Sequence, residues 1–277
     1  MTPQKKNLTS HVAVVAGGSG GIGTCVCRML LERGATVVSI RHRWRSAENV
    51  MRGVVDIQAK LQSLDEWSRI IRIIVKRHGT IDSLIHCSGI LIPGTASSLS
   101  EDQIRAMLEV NVLSLVYGCR SVLPVMRRQH SGHIITIGSL GGVLPMPYEP
   151  IYSATKFALR GFSLSFNEEL RGTGIHCSLI SSGPVKTRML DEEAQDPDSV
   201  IAFMTKPIQA ERVAETVLSL LDHPKPEVLL PYTAGLSSRL LAFTPRLFGL
   251  IFRLLAPYGE WQRNRYVNER AIVSSLR

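Results

Sequence analysis

Residues 12–16, an unbroken apolar run, pass directly into Gly17-Gly18-Ser19-Gly20-Gly21-Ile22-Gly23 and then into helix-favouring sequence at 24–33 that stops at Gly34. This succession of strand, tight turn and helix constrains the fold more than any other feature of the chain. The turn lies where backbone amides and a helix dipole together can hold a pyrophosphate. A side chain at Gly17, Gly21 or Gly23 would obstruct the turn or the close approach of a ligand, while Ser19, Gly20 and Ile22 complete the loop.

The alternation continues. Residues 36–40 read as a strand, 64–78 as a helix, 83–86 as a strand, 103–125 as a long helix and 134–137 as a strand. Residues 154–170 then read as a helix, 175–181 as a strand and, after a polar insertion, 227–230 as a final strand. Strands this apolar between helices predict an α/β fold with a parallel sheet covered on both faces. With 277 residues, 44% of them hydrophobic, the chain can bury such a core. No repeat or low-complexity linker interrupts the series, so a single domain is expected over 1–232 with a C-terminal extension at 233–277. The first ten residues are polar and no run of about eighteen apolar residues stands out, which predicts neither a signal peptide nor a spanning helix and places the protein in the cytosol. Five scattered cysteines lack the paired spacing of a zinc site and are expected to be reduced packing residues, with no metal implied.

The net charge of +9 fits nucleic acid, an anionic membrane or a phosphate-rich cofactor, and location decides among them. The second predicted strand ends in Arg41-His42-Arg43-Trp44-Arg45, where a carboxylate would have accepted hydrogen bonds from an adenosine 2′-hydroxyl and selected NAD. A guanidinium can instead grip a 2′-phosphate, so Arg41, His42 and Arg43 favour NADP, as NADPH, over NAD. No nucleic-acid reader motif accompanies the charge, and no nucleic-acid partner is expected.

The GxxxGxG spacing of Gly17, Gly21 and Gly23 resembles the short-chain dehydrogenase/reductase family, and further stations of that family follow in order. Asp56, next to Ile57, is similar to the carboxylate that contacts adenine; Ser88 and Gly89 lie where the ribose approaches; Asn111 resembles the active-site helix asparagine. Ser139 stands thirteen residues before Tyr152, and Tyr152 four before Lys156, while Pro184, Val185 and Thr187 resemble a segment whose threonine holds the nicotinamide amide. The resemblance spans residue 8 to about 230 and implies a seven-stranded Rossmann sheet with a catalytic set of Asn111, Ser139, Tyr152 and Lys156. His86-Cys87-Ser88-Gly89 and Ser182-Gly183 depart from the family's NNAG and PG, and His86 is expected to make local hydrogen bonds at a strand end.

Tyr152 and Lys156 are one helical turn apart, so both project from one helix face, and an adjacent ammonium would bring the phenol down from near ~10. Tyr152 would exchange a proton with a carbonyl or alcohol oxygen, Ser139 would hydrogen-bond that oxygen, and Lys156 would also hold the nicotinamide ribose. Leu140, Val143, Leu144, Met146 and Pro147 suggest a hydrophobic small-molecule substrate, and 187–207 occupies the place of a mobile lid. A catalytically idle nucleotide sensor or scaffold on the same fold is the alternative. In the extension, Arg239, Arg246 and Arg253 recur every seven residues among Leu and Phe, which leaves open a surface helix on an anionic membrane, a cap over the active site, or a contact with a partner subunit. The resemblance further implies a homodimer or homotetramer.

Overall fold

The computed structural model describes residues 7–42 and 51–275, with side chains through Arg270. Arg43, one of the basic residues expected to select the cofactor, lies outside the described residues. Seven parallel strands form one sheet: β1 (Val12–Ala16), β2 (Thr36–Arg41), β3 (Val54–Gln58), β4 (Ser83–His86), β5 (Gly132–Ile137), β6 (Ile175–Ser182) and β7 (Glu227–Leu230). Their spatial order is β3-β2-β1-β4-β5-β6-β7. The chain winds outward from β1 to β3, then crosses back to β4 and winds the other way. The crevice between the carboxyl ends of β1 and β4 is therefore the place where such a sheet binds ligands.

Alternation along each strand divides the core in two. Val12, Val14 and Ala16 face one layer, made by α2 (Leu64–His78), α4 (Ser114–Gln129) and α5 (Pro150–Glu169). Ala13 and Val15 face the other, made by α1 (Gly21–Glu32) and α7 (Ala210–Asp222). Each fully buried Val, Leu or Ile contributes roughly 1.5–3 kcal/mol, so this two-sided burial dominates stability. Trp67 of α2 is fully buried, donates from Nε1 to the Leu61 carbonyl at 3.1 Å, and packs where a Cβ on Gly118 of α4 would meet its ring at 2.9 Å. Local signals start and stop the helices: Ser63 caps α2, Gly79 ends it in the left-handed region at φ 79°, and Ser100 and Gln103 form a capping box for α3 (Glu101–Leu108).

The long predicted helix is α3 and α4 joined by a π-helical turn, Glu109–Leu113. By length and composition alone this helix could cross a membrane, yet Leu115, Cys119, Val122 and Met126 are buried on the core. The predicted polar insertion contains two helices, α6 (Arg188–Glu193) and α7. The extension folds as α8 (Tyr232–Ala242) and α9 (Pro245–Ser275), breaking just before Pro245 and then running on through Gly249 and Pro257. Arg239, half-exposed, differs from Arg246 and Arg253 in having a partner among the described residues. It pairs with the buried carboxylate of Glu227, which also takes a two-pronged bond from Arg160 of α5, at 2.9 and 3.1 Å, and the Ser181 hydroxyl at 2.8 Å. Glu227 thereby fastens β7, α5 and α8 to one another.

Candidate active site

The glycine turn closes on itself: Gly17 takes φ 80°, its carbonyl accepts from Gly20 N at 3.0 Å, and a Cβ on Gly23 would sit 2.2 Å from that same oxygen. Only glycine fits at 17 and 23. A cleft of about 720 Å³ opens from Gly20, Gly21, Ile22 and Gly23 and passes Ser88 and Gly89 to Ser139, Tyr152 and Lys156. Pro184, Val185 and Thr187 form part of its wall. Sequence-distant candidates thus share one cavity at the sheet's switch point, beside the N-terminus of α1.

Asn111 lies beneath the wall, in the π turn, fully buried. Its Oδ1 accepts from Ile90 N at 2.8 Å, and its Nδ2 donates to the Ile90 carbonyl at 2.9 Å and to Thr155 Oγ1 at 3.0 Å. A Cβ on Gly89 would lie 3.5 Å from both Asn111 Oδ1 and Lys156 Nζ, so the three are close neighbours. A π turn inside an α-helix frequently marks a functional position. His86 is buried and shares a 2.8 Å hydrogen bond between Nε2 and Ser114 Oγ; burial, then the Lys156 charge, pushes its pKa down to about 3, so it is a neutral strand-end group.

Ser139 follows β5 by two residues in extended backbone and accepts from Gly141 N at 3.0 Å. Tyr152 and Lys156 leave the same face of α5, with Lys156 Nζ 5.4 Å from the Tyr152 ring centre. The expected downward shift of the phenol is not found in the free protein. Burial first, then the fields of Glu193 and Glu149, raise the Tyr152 pKa, and only the Ser139 hydroxyl opposes them. Burial alone brings Lys156 down to about 8, which makes its proton movable near neutral pH.

Across the paired strands β2 and β3, Arg41 and Asp56 meet as a buried ion pair at 2.5 Å, and Arg41 Nε also reaches Ser39 Oγ at 3.3 Å. Ile57 pairs with Ile40 in the same register, and His42 is exposed. Asp56 Oδ2 is buried without a hydrogen-bond partner, an acceptor suited to an adenine amino group. Gly17, Ser19, Arg41, His42, Asp56 and Ile57 do not line the main cavity. The glycine cradle, the orphaned Asp56 oxygen and the volume of the cleft together fit a dinucleotide.

The features absent from the sequence expectations come from the lid and the extension. Glu193 of α6 lines the cavity, and so do Leu241 of α8 and Phe248, Ile251 and Phe252 of α9. Helix α9 straps the lid: Arg263 donates to the Ala194 carbonyl at 3.1 Å, and Tyr266 to Asp191 at 2.7 Å. Of the arrangements open to the extension, a cap over the active site is formed by its inward side. Its inward residues, Phe248, Ile251, Phe252 and Leu255, recur at helical spacing and carry the signal in hindsight.

A Rossmann-type sheet with a tyrosine and lysine facing a dinucleotide cleft defines a class of nicotinamide-dependent oxidoreductases. Residues 11–198 match the family model described as short chain dehydrogenase, and the chain belongs to that family. It is 31% identical over 223 residues, 79% of this chain and 94% of the relative, to an uncharacterized oxidoreductase of Staphylococcus aureus strain USA300. Among solved structures it resembles the ligand-free aldohexose dehydrogenase of Thermoplasma acidophilum, with TM-score 0.72 and 20% identity over 82% of this chain and 94% of that one. ElxO with NADP bound gives TM-score 0.72 and 22% identity over 81% of this chain and 99% of that one. At these identities the two structures speak for the fold.

Proposed function

We propose that this oxidoreductase interconverts a carbonyl and an alcohol on a hydrophobic small molecule, with NADP as its dinucleotide and Tyr152 as general acid and base. The observation that carries the reading is the convergence of Ser139, Tyr152 and Lys156 on one end of the cleft that begins at the glycine turn. The dinucleotide, when bound, supplies or accepts the hydride. Gly20, Gly21 and Gly23 cradle its phosphates, Ser88, Gly89 and Lys156 take the nicotinamide ribose, and Pro184, Val185 and Thr187 the nicotinamide amide. In the reducing direction the Tyr152 hydroxyl protonates the oxygen of the reacting carbon, and Ser139 donates a hydrogen bond to the charge that develops there. Lys156 stabilises the phenolate left behind and replaces its proton, and Asn111, close by, positions water that connects Lys156 to solvent.

The NADP preference draws support from Arg41 at the end of β2, in the place of a 2′-hydroxyl acceptor, and from the NADP found in ElxO. Titration with NADPH and NADH, then loss of the reduced-nicotinamide absorbance with hydrophobic ketones, aldehydes and quinones, tests the reading. Tight NADPH binding with substrate-dependent loss is expected. Failure to bind either nucleotide overturns it, and binding without turnover across the panel favours the idle sensor instead.

Leu108, Leu113 and Phe157 are exposed on the α3–α5 helices, which supports assembly as a homodimer or homotetramer; a monomer by light scattering would refute this. The outward side of α8 and α9 exposes Leu240, Phe243, Leu247, Leu250 and Leu254 beside Arg246 and Arg253. Apolar side chains flanked by guanidinium groups complement an anionic bilayer, which supports a cytoplasmic protein docked peripherally through this face. Flotation with phosphatidylserine vesicles is expected and should fall for Phe243→Ser with Leu247→Ser; an intact protein that stays unbound contradicts it.

A further inference from the structure

Two carboxyl groups, those of Glu149 and Glu193, lie buried near Tyr152. Glu149, at the entrance to α5, is 1% exposed; its Oε1 accepts from Ser199 Oγ at 2.6 Å, and its Oε2 is buried without a partner. Glu193, the last residue of the lid helix, is 6% exposed, lines the cavity, and leaves Oε1 buried and unpartnered. Neither forms an ion pair among the described residues. Burial, then Asp196 against the Ser199 hydrogen bond, pushes Glu149 up to about 7; burial, then Glu149 and Asp196, raises Glu193. The fields of both acids reach Tyr152.

Buried carboxyl oxygens without partners are costly, and a buried pair without a counter-charge is costlier still. The proton chemistry at Tyr152 does not use these acids; Leu144, Met146, Leu241 and Phe252 give the cavity wall apolar surface, and its one arginine, Arg188, is paired with Glu192 at 2.7 Å. A neutral hydroxyl on the substrate would satisfy one oxygen. A protonated amine would satisfy the oxygen, cancel the charge and make the stronger, charge-assisted bond.

We propose that Glu193, backed by Glu149, forms a subsite for a cationic nitrogen, and that the substrate is an amino ketone or amino alcohol with an otherwise apolar body. The subsite rests on the proposed carbonyl–alcohol chemistry and adds the substrate class. Neutral-to-cation discrimination arises at the lid, while hydride and proton transfer stay with the dinucleotide and Tyr152.

Three alkyl ketones of one chain length, ending in dimethylammonium, isopropyl or hydroxyl, test this on the protein–NADPH complex at pH 7. Calorimetry reads Kd and absorbance reads kcat/KM. A charge-assisted hydrogen bond predicts a preference of about 10- to 100-fold for dimethylammonium over the isopropyl isostere in both quantities. Glu193→Gln should bring that ratio toward one. The wild-type comparison stands even if the variant does not fold. Turnover of the isopropyl ketone without preference for the ammonium compound overturns the subsite and leaves the oxidoreductase reading intact. Preferential ammonium binding with no turnover of any ketone does the reverse. Equal binding of all three overturns the subsite whatever the turnover.

Discussion

Glu149→Gln should stabilise the protein, and only above mildly acidic pH. The folded protein holds the Glu149 proton up to about 7, against an ordinary value of 4.5, because burial penalises the carboxylate. Below 4.5 both folded and unfolded chains carry the proton and nothing is lost. Between 4.5 and about 7 the unfolded chain ionises first, binds fewer protons than the folded one, and stability falls with rising pH. At ~1.36 kcal/mol per pKa unit the loss reaches roughly 3 kcal/mol by pH 8. Glutamine stays neutral throughout and keeps an acceptor for Ser199 Oγ, which now bonds Glu149 Oε1 at 2.6 Å. The melting-temperature difference between variant and wild type should therefore be small at pH 5 and grow to roughly 5–10 °C at pH 8. Thermal unfolding followed by circular dichroism from pH 5 to 8 measures it. A difference of one size at every pH, or one that shrinks as pH rises, would refute the reasoning. An enzyme that keeps so destabilising an acid has a use for it, which is the thermodynamic side of the amine subsite.

Further tests bear on the cleft and its supports. Gly23→Ala places a Cβ 2.2 Å from a backbone oxygen, so the turn must open; overpacking of this kind predicts up to ~100-fold weaker NADPH binding by fluorescence titration. Arg41→Ala should lower kcat/KM with NADPH by ~10- to 100-fold more than with NADH, the worth of a charged hydrogen bond, and an equal loss with both would dismiss the 2′-phosphate role. Glu227 is raised by burial but held net below the ordinary carboxylate range by Arg160, Ser181 and Arg239. The stability it contributes is present above the unfolded value and lost as pH falls through the folded one, so Glu227→Gln should weaken the protein at pH 7 and narrow its gap to wild type in acid, as read by urea unfolding.

The strands at Val12–Ala16, Ser83–His86 and Glu227–Leu230 and the helix at Leu64–His78 stand where the apolar pattern puts them, because full burial and strong caps write themselves locally. Strand β3 escaped that pattern. At the sheet edge its Val54, Val55 and Ile57 are only half-buried, and two charged or amide residues break the run. Helix α7 was hidden in what read as polar insertion, although Val213, Ala214, Val217 and Leu218 recur at helical spacing and bury against α1. The site divides the same way. The glycines, Ser139, Tyr152 and Lys156 have local spacing that their chemistry requires, so they could be read from the chain. The burial of Glu149 under Ser199 of the lid, and the pairing of Arg239 and Arg160 on Glu227, are made by tertiary contacts that local spacing does not show. In sequence Glu193 sits in an acidic, proline-containing stretch that resembles a solvated loop. Tyr152 owes its raised pKa first to burial and then to the fields of Glu193 and Glu149, none of which its local setting beside Lys156 reveals.

The central claim is that Tyr152 moves the proton. Wild type and Tyr152→Phe should be compared for NADPH binding by fluorescence and for ketone-dependent loss of absorbance on the same preparation. The account predicts that the variant binds NADPH as wild type does and loses turnover by several orders of magnitude. A variant that still turns over at near the wild-type rate would contradict it.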